Sequence, residues 1–512
     1  SDKVTGIARY GADVFPSNYI HGKILRSPYA HAKIKSINLK QAEKLPGVIA
    51  IVTNKDFPDS VDISDKYLRN NSLAKDKVLY VGHAIAGVAA INPHIAEEAI
   101  NLIDVEYEIL DPVLDAPFGA SDESPKLHND LKTDLFGEKQ DGKTNIASKF
   151  KHSIGDTQKG FEQSDIIIEK EFNTATVHQG YIEPMNVTAH WNNDSRIHIW
   201  ISTQGPFQVR EVTAKALGIR TSQIKVTPME IGGGFGGKFP LYQEPVACLL
   251  SKKAGKPVKI IMTRKEVFEG TGPTSGSNVW CKIGSTKEGK IIAAEGFLSY
   301  EAGAYPGSPV EAGGKCMFAS YDIPNVSVEG IDVVVNKPKV AAYRAPGATN
   351  ATFATETIID EIASELKIDP IDFRLMNASQ EGTRRADGPK YPKIGAVEML
   401  NAMKNHDHWK SPIKGKKVGR GIAIGFWFNG GNRSTCTISV NPDGTIILVE
   451  GSPDIGGSRA SIAMQAAEIL NLDYHDVYPS VTDTDSIGYS DGTGGSRTTF
   501  ATGWAAIEAS KD

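Results

Sequence analysis

Five of the seven residues in Gly232-Gly233-Gly234-Phe235-Gly236-Gly237-Lys238 are glycine. Backbone this free of Cβ atoms can come close to a bound group or to another stretch of chain. Two phosphate-binding templates match it superficially: residues 232–238 fit GxxxxGK, and Gly232, Gly234 and Gly237 fit GxGxxG. The first needs a Ser or Thr after the lysine to hold magnesium, and Phe239 stands there. The second needs an acidic residue at the end of the next strand, and the candidate strand at 257–263 runs into Arg264. A tight turn with close backbone packing is the plain alternative.

A second signal lies near the C-terminus, where Gly456-Gly457-Ser458-Arg459 and Gly494-Gly495-Ser496-Arg497 repeat one motif. Each precedes an apolar helical run, at 460–470 and 499–509. A helix N-terminus presents unpaired N–H groups and partial positive charge, so two of them with hydroxyls and an arginine suit an anion such as a pyrophosphate. Coincident capping turns would give the same pattern. Three glycine-rich turns without a complete P-loop point to a large phosphorylated cofactor held mainly by backbone amides. Two polar positions stand beside them. Glu183, in His178-Gln179-Gly180-Tyr181-Ile182-Glu183-Pro184, is either an acid or base or a structural carboxylate. Arg344, in Ala342-Tyr343-Arg344-Ala345-Pro346-Gly347, either projects its fork of donors into a site or lies on the surface. The histidines form no HExxH-like pair, and no GxSxG occurs, which argues against protein-ligated zinc and a hydrolase elbow.

Several elements must position these residues. Val187, Ala189 and Trp191 alternate, Asn193-Asp194 can turn, and Ile197, Ile199 and Ile201 alternate again, which predicts a hairpin. Gln204 follows the return strand. Pro206 suits a helix start, Val209, Val212, Ala216 and Leu217 make one apolar face, and Gly218 suits the cap, so Gln204 sits at a strand-to-helix junction. The glycine loop is bracketed by a strand at 224–226 and a helix at 244–253. Upstream, strands at 48–53, 84–91 and 105–110 and a helix at 95–103 make an α+β unit ending near 115. Residues 116–150, rich in Asp, Lys, Gly and Ser, read as an exposed linker. A helix at 356–366 stops at Asp369-Pro370. A Lys-rich stretch at 405–417 marks another boundary, before strands at 418–426 and 445–450.

The 512 residues allow about two to four domains at roughly 100–200 residues each. A net charge of −5 offers no broad basic field for nucleic acid. No stretch approaches the roughly 18 apolar residues of a membrane helix and no leader opens the chain, so no membrane partner and a cytoplasmic location are expected. Four cysteines, Cys248, Cys281, Cys316 and Cys436, without a CxxC, predict no iron–sulfur or zinc site within the chain. The first residue is Ser and 509–512 end an unfinished amphipathic run, so a fragment at both ends is expected.

In this order the pieces resemble the large subunit of the molybdenum hydroxylases of xanthine dehydrogenase and aldehyde oxidase type. Thr5-Gly6-Ile7-Ala8-Arg9-Tyr10 and Arg26-Ser27-Pro28-Tyr29-Ala30-His31-Ala32 are similar to the family's α/β hammerhead domain. Residues 232–238, 342–347 and 356–377 resemble its first molybdopterin-binding domain, and the two GGSR turns the start of the second. The resemblance implies an α+β fold of mixed sheets and helices, cut short at its C-terminal side. It divides the chain into a hammerhead at 1–115, the linker at 116–150, the first molybdopterin-binding domain at 151–404 and the incomplete second at 405–512.

By the same resemblance Gln204 would hydrogen-bond an oxo ligand of the metal. The backbone of Gly234, Phe235 and Gly236 would lie beside the cofactor, with Tyr343 adding its backbone amide. Arg344 would sit near the metal and orient a small-molecule substrate. Gly456, Gly457, Ser458, Gly494, Gly495, Ser496 and Thr498 would hold the pterin and its phosphates. The cofactor implied is molybdopterin with molybdenum, as the cytosine dinucleotide in a bacterial source, and the pterin's own dithiolene would bind the metal, so no protein ligand is expected. The activity implied is oxidation of an electron-poor carbon of an aromatic heterocycle or aldehyde, with water as the oxygen source. Electrons would pass to iron–sulfur and FAD subunits. The catalytic glutamate would lie beyond Asp512 or on a separate second molybdopterin subunit. Phe239 stands where xanthine enzymes carry a substrate-binding glutamate, which disfavours a purine. Gly456-Gly457-Ser458 replaces the common GQG turn, a variant associated with nicotinate-type enzymes, and the 342–347 loop lacks the cysteine of carbon monoxide dehydrogenases. Two other classes are a phosphotransferase built on 232–238 and a cofactor-binding subunit without a redox step.

Overall fold

Alternation at 187–191 and 197–201 builds the expected hairpin: Asn186–Trp191 runs antiparallel to Ile197–Ile201, with Val187 opposite Ile201 and Trp191 opposite Ile197. The computed structural model describes residues 2–140 and 142–512. In it the hairpin is part of a seven-stranded sheet, in the order Ile224–Pro228, Ile197–Ile201, Asn186–Trp191, Val258–Ile261, Ile20–Arg26, Ala84–Ala90, Val48–Thr53. The N-terminal strands are therefore edge-paired into a sheet shared with residues 186–261. Ile20–Arg26 joins Val258–Ile261 in parallel. Helices Pro206–Leu217 and Glu244–Ala254 cover the sheet, and Val209, Val246, Leu250, Ile199 and Val226 meet in its core. Each such side chain contributes about 1.5–3 kcal/mol when fully buried. Pro206 opens its helix and Gly218 closes it at φ 64°, as the sequence predicts.

A second seven-stranded sheet runs Ile166–Thr174, Ser277–Ser285, Ile291–Gly303, Asn325–Val334, Ile146–Ile154, Thr133–Leu135, Glu138–Gln140. Helix Ala348–Leu366 packs on it through Ala351, Ile358, Ile359 and Ile362. That helix starts eight residues before the predicted 356. Threonines hid the extra turns, and two of them direct their hydroxyls to carbonyls four residues back: Thr352 on Ala348 at 2.7 Å and Thr355 on Ala351 at 3.5 Å. Asp369 then caps the next helix, Pro370–Asn377, accepting from Ile371 N at 2.8 Å.

Two expectations need correction. Residues 116–150 do not run bare over the surface. They carry helix Ala116–Ala120 and edge strands of the second sheet, and they bury Leu127 and Leu131. The polar composition misled because buried Asn145 satisfies that backbone, donating to Pro125 O at 2.8 Å and accepting from Leu127 N at 3.0 Å. Residues 418–426 form no strand. Gly419, Gly421 and Gly425 interrupt the stretch, and its contacts run to side chains and loop carbonyls: Arg420 donates to Ser411 O at 2.7 Å, and Ile424 N donates to Glu356 Oε2 at 2.9 Å. The C-terminal sheet has three strands, Cys436–Val440, Ile446–Glu450 and Val477–Val481, backed by helices Ser458–Leu470 and Gly503–Lys511. Among the described residues no helix is long and apolar enough to cross a membrane.

Candidate functional site

Strands Ile197–Ile201 and Ile224–Pro228 are parallel neighbours, so the chain leaves both at the same sheet end. This topology brings Gln204 and the 232–238 loop together, because segments after parallel strands share one edge. Gln204 is 3% exposed. Its Oε1 accepts from Gly236 N at 2.9 Å and Lys238 N at 3.3 Å. Its Nε2 donates to Thr493 O at 2.8 Å, and Thr493 N returns a bond to Gln204 O at 2.7 Å. A primary amide has two N–H donors, so one remains for the cleft it lines.

That cleft, of about 700 Å³, is lined by parts of four distant segments. Gln204, Phe235, Gly236 and Phe239 come from the first, and Ala342, Arg344, Ala345 and Pro346 from the second. Trp427 comes from the third, and Ile455, Ser458 and residues 493–499 from the C-terminal domain. Of the residues singled out from sequence, Gln204, Phe235, Gly236, Arg344, Ser458, Gly494, Gly495, Ser496 and Thr498 share this wall. Gly234, Tyr343, Gly456 and Gly457 flank it without lining it. A Cβ on Gly234 would lie 2.6 Å from Gln204 Oε1, so that glycine lets the amide approach. Gly456 and Gly457, at φ 76° and 98°, form the turn into helix Ser458–Leu470, with nothing within 4 Å of an added Cβ.

The loops lock each other. Arg344 N donates to Phe235 O at 2.9 Å, and Gln179 Nε2 donates to Ala342 O at 2.8 Å. Phe235, Arg344 and Ala345 all hold positive φ, which costs a non-glycine residue energy and marks a place where the surrounding structure dictates the backbone. The Arg344 side chain is exposed on the cleft and forms no ion pair among the described residues.

Lys238 does not reach into the cleft. It is buried, with Nζ 2.6 Å from Glu183 Oε2 and 5.0 Å from the Tyr181 ring centre. Burial lowers its pKa, opposed by Glu183. Glu183 also accepts from Ser202 Oγ at 2.6 Å, Asn186 Nδ2 at 3.0 Å and Gly232 N at 2.8 Å. Glu183 is thus a structural carboxylate that pins the glycine loop. A loop whose lysine is held this way cannot work as a P-loop, and the phosphotransferase reading is not supported.

The arginines of the two GGSR turns are likewise committed elsewhere. Arg497 donates to Gly431 O and Asp491 O at 2.7 Å. Arg459 pairs with Glu230 at 2.6 Å and Asp454 at 3.1 Å. Asp454 Oδ1 further accepts from Gly457 N at 3.0 Å and Ser458 Oγ at 3.1 Å, so the first turn already holds an internal anion. The second turn is the open one. The Thr498 Oγ1 is buried on the cleft with no partner among the described residues. A buried hydroxyl left unpaired is costly, and one facing a cleft beside glycine amides fits a ligand rich in acceptors. Among the described residues no group of three His, Cys, Asp or Glu could hold a metal ion. Trp427, Thr493 and Ile455 were missed from sequence. Trp427 lies just past a stretch that alternation predicts as strand, and Thr493 acts through its backbone, which leaves no residue-type signal.

Residues 5–111 match the aldehyde oxidase and xanthine dehydrogenase a/b hammerhead domain, and residues 138–378 and 396–512 match two molybdopterin cofactor-binding domains. A probable xanthine dehydrogenase subunit from Bacillus subtilis is 32% identical over 532 residues, covering 99% of this chain and 68% of the relative. The nicotinate dehydrogenase large molybdopterin subunit of Eubacterium barkeri is 30% identical over 404 residues, covering 78% and 92%. The crystal structure of quinoline 2-oxidoreductase from Pseudomonas putida 86 superposes with a TM-score of 0.88 at 25% identity, over all of this chain and 68% of that one. Both sequence relatives are subunits of larger assemblies by name. With a hammerhead domain followed by two molybdopterin-binding domains that together line one glycine-rich cleft, the chain belongs to the xanthine dehydrogenase and aldehyde oxidase family of molybdenum hydroxylases, in the place of its molybdopterin-binding large subunit.

Proposed function

We propose that the chain is the molybdopterin subunit of a hydroxylase that oxidises an electron-poor carbon of an aromatic heterocycle or aldehyde, with water as the oxygen source. The observation that carries this is the clamped Gln204 facing the same cleft as the unpartnered Thr498 hydroxyl. Bound molybdopterin would supply the redox chemistry. The chain does the holding and aiming. Gln204 would offer its remaining Nε2 hydrogen to the metal-bearing part of the group, and the backbone of Phe235 and Gly236 would lie beside it. Ser496, Thr498 and the Gly494–Gly495 amides receive the pterin and phosphates, with Ser458 at the rim. Arg344 orients substrate from the cleft wall, and Phe239 and Trp427 make that wall apolar. Phe239 cannot accept a hydrogen bond from a purine, and the cysteine-free 342–347 loop disfavours carbon monoxide chemistry.

In this reading the general base is a glutamate outside these residues, in the same or a second molybdopterin polypeptide. The nucleotide is the cytosine form, electrons leave to iron–sulfur and FAD subunits, and the assembly is cytoplasmic. The domains are the hammerhead at 1–115, the first molybdopterin-binding domain at 151–404 and the start of the second at 405–512, with 116–150 connecting the first two. The test is molybdenum content and released nucleotide on the chain co-expressed with its neighbouring redox subunits. Near-stoichiometric molybdenum with CMP is expected. A folded assembly yielding neither overturns the proposal.

A further inference from the structure

Lys3, Glu230, Asp454 and Arg459 come from three stretches separated by more than two hundred residues in sequence, yet they form one half-buried charge network. Lys3 Nζ lies 2.8 Å from Asp454 Oδ2 and 3.2 Å from Glu230 Oε2. Arg459 Nη2 lies 2.6 Å from Glu230 Oε1 and 3.7 Å from Asp2 Oδ2, while its Nε lies 3.1 Å from Asp454 Oδ2. Glu230 and Asp454 are mostly covered, at 13% and 6% side-chain exposure. Burial works to raise the Asp454 carboxyl, but Lys3, Arg459 and Ser458 outweigh it and leave it at about 2.

What the network joins gives it meaning. Glu230 ends just before the 232–238 loop, and its backbone is held at both sides, by Glu230 N on Arg9 O at 3.1 Å and Ser202 Oγ on Glu230 O at 2.9 Å. Asp454 and Arg459 bracket the 456–458 turn, and Asp454 Oδ1 gathers Gly457 N, Ser458 Oγ and Arg459 N at 3.0, 3.1 and 3.4 Å. The network therefore spans from the 232–238 loop to the 456–458 turn, and Lys3 closes it from outside the cleft.

We propose that Lys3, Glu230, Asp454 and Arg459 are positioning residues that fix the spacing between the 232–238 loop and the 456–458 turn, and so set how firmly the cofactor is retained. The proposal rests on the cofactor reading above. None of the network's charges lines the main cleft. Lys3 is the useful probe, because its ammonium reaches both carboxylates from the short helix Asp2–Thr5.

The experiment compares the co-expressed assembly carrying wild-type Lys3, Lys3→Met or Lys3→Arg. It measures the rate at which molybdenum and nucleotide are lost during dialysis, and the melting temperature of the cofactor-free protein. Lys3→Met is expected to release cofactor roughly tenfold faster, between the small effect of an exposed ion pair and the large one of a buried pair. Lys3→Arg, which keeps the charge, is expected to restore most of the retention, while cofactor-free melting stays within a few degrees for all three. Equal retention in Lys3→Met, or a loss matched by an equivalent fall in cofactor-free melting, overturns the positioning role. Glu230→Gln, made in parallel, should share the fast release, and a wild-type rate there would also count against it. A wild-type assembly holding neither molybdenum nor nucleotide fails differently, since it removes the cofactor reading on which this one stands.

Discussion

Gln204 bridges the two halves of the cleft through a single amide, with Gly236 and Lys238 amides on its oxygen and the Thr493 carbonyl on its nitrogen. Gln204→Ala should leave two loop N–H groups without their acceptor, at about 1–3 kcal/mol for each group that water cannot reach. It should also lower kcat far more than it raises KM, and a variant that melts like the wild type and turns over normally would refute this. Thr498 gives a cleaner contrast because its hydroxyl has no partner among the described residues. Thr498→Val keeps the shape and removes an unpaired polar atom, so the cofactor-free protein should gain up to about 1 kcal/mol in urea unfolding. The same change should weaken cofactor retention, if the hydroxyl serves the ligand as proposed. A variant neutral in both assays would show that water satisfies Thr498. At this scale the sequence reading reached Gln204 through its junction and Thr498 only through family resemblance. It assigned the GGSR arginines to an anion because residue type records charge but not which neighbour already holds it.

Elements were most legible where one stretch carries its own start, face and stop. The helix Pro206–Leu217 has a proline at its first turn, an apolar stripe and a left-handed glycine cap, all local. Residues 418–426 show the limit, since alternation says which side chains could share a face but cannot supply a neighbouring backbone. Glycines test the same distinction. Gly236, at φ 105°, would place a Cβ 2.5 Å from Ala342 O, against backbone of the opposing loop. Gly255, capping helix Glu244–Ala254 at φ 62°, would place one in open space. Gly255→Ala should therefore cost only about 1 kcal/mol, from the left-handed backbone alone. Gly236→Ala should cost more, break the Arg344 N to Phe235 O bond and reduce cofactor content. Equal unfolding midpoints for the two variants would show that the loops part easily, and their mutual locking would then be wrong.

Whole-molecule arrangement was the least legible level, because strand order in space does not follow order in sequence. A boundary near 115 reads as a change in composition, yet strands Ile20–Arg26, Val48–Thr53 and Ala84–Ala90 share a sheet with Asn186–Trp191 and Val258–Ile261. Such long-range closure buries carboxyls that no local pattern flags. Glu450 is fully buried at the end of its strand, and neither oxygen has a partner among the described residues. Burial first, and then Asp454, push its carboxyl up to about 8, with Arg459 opposing. Burial likewise pushes Glu244 up to about 7, against backbone donors. A glutamate in an unfolded chain titrates at about 4.3. Above that value and below the raised ones, the folded protein holds protons that the unfolded chain has released, so stability falls as pH rises through this window and levels off above it. Glu450→Gln removes one such proton. Its urea midpoint should exceed the wild type at pH 8 by an amount worth a few kcal/mol at most, one pK unit being about 1.4 kcal/mol, and the gap should close toward pH 5. A gap that does not change with pH would mean that the Glu450 carboxyl titrates normally, through contact with water or a partner that the buried end of this strand does not provide.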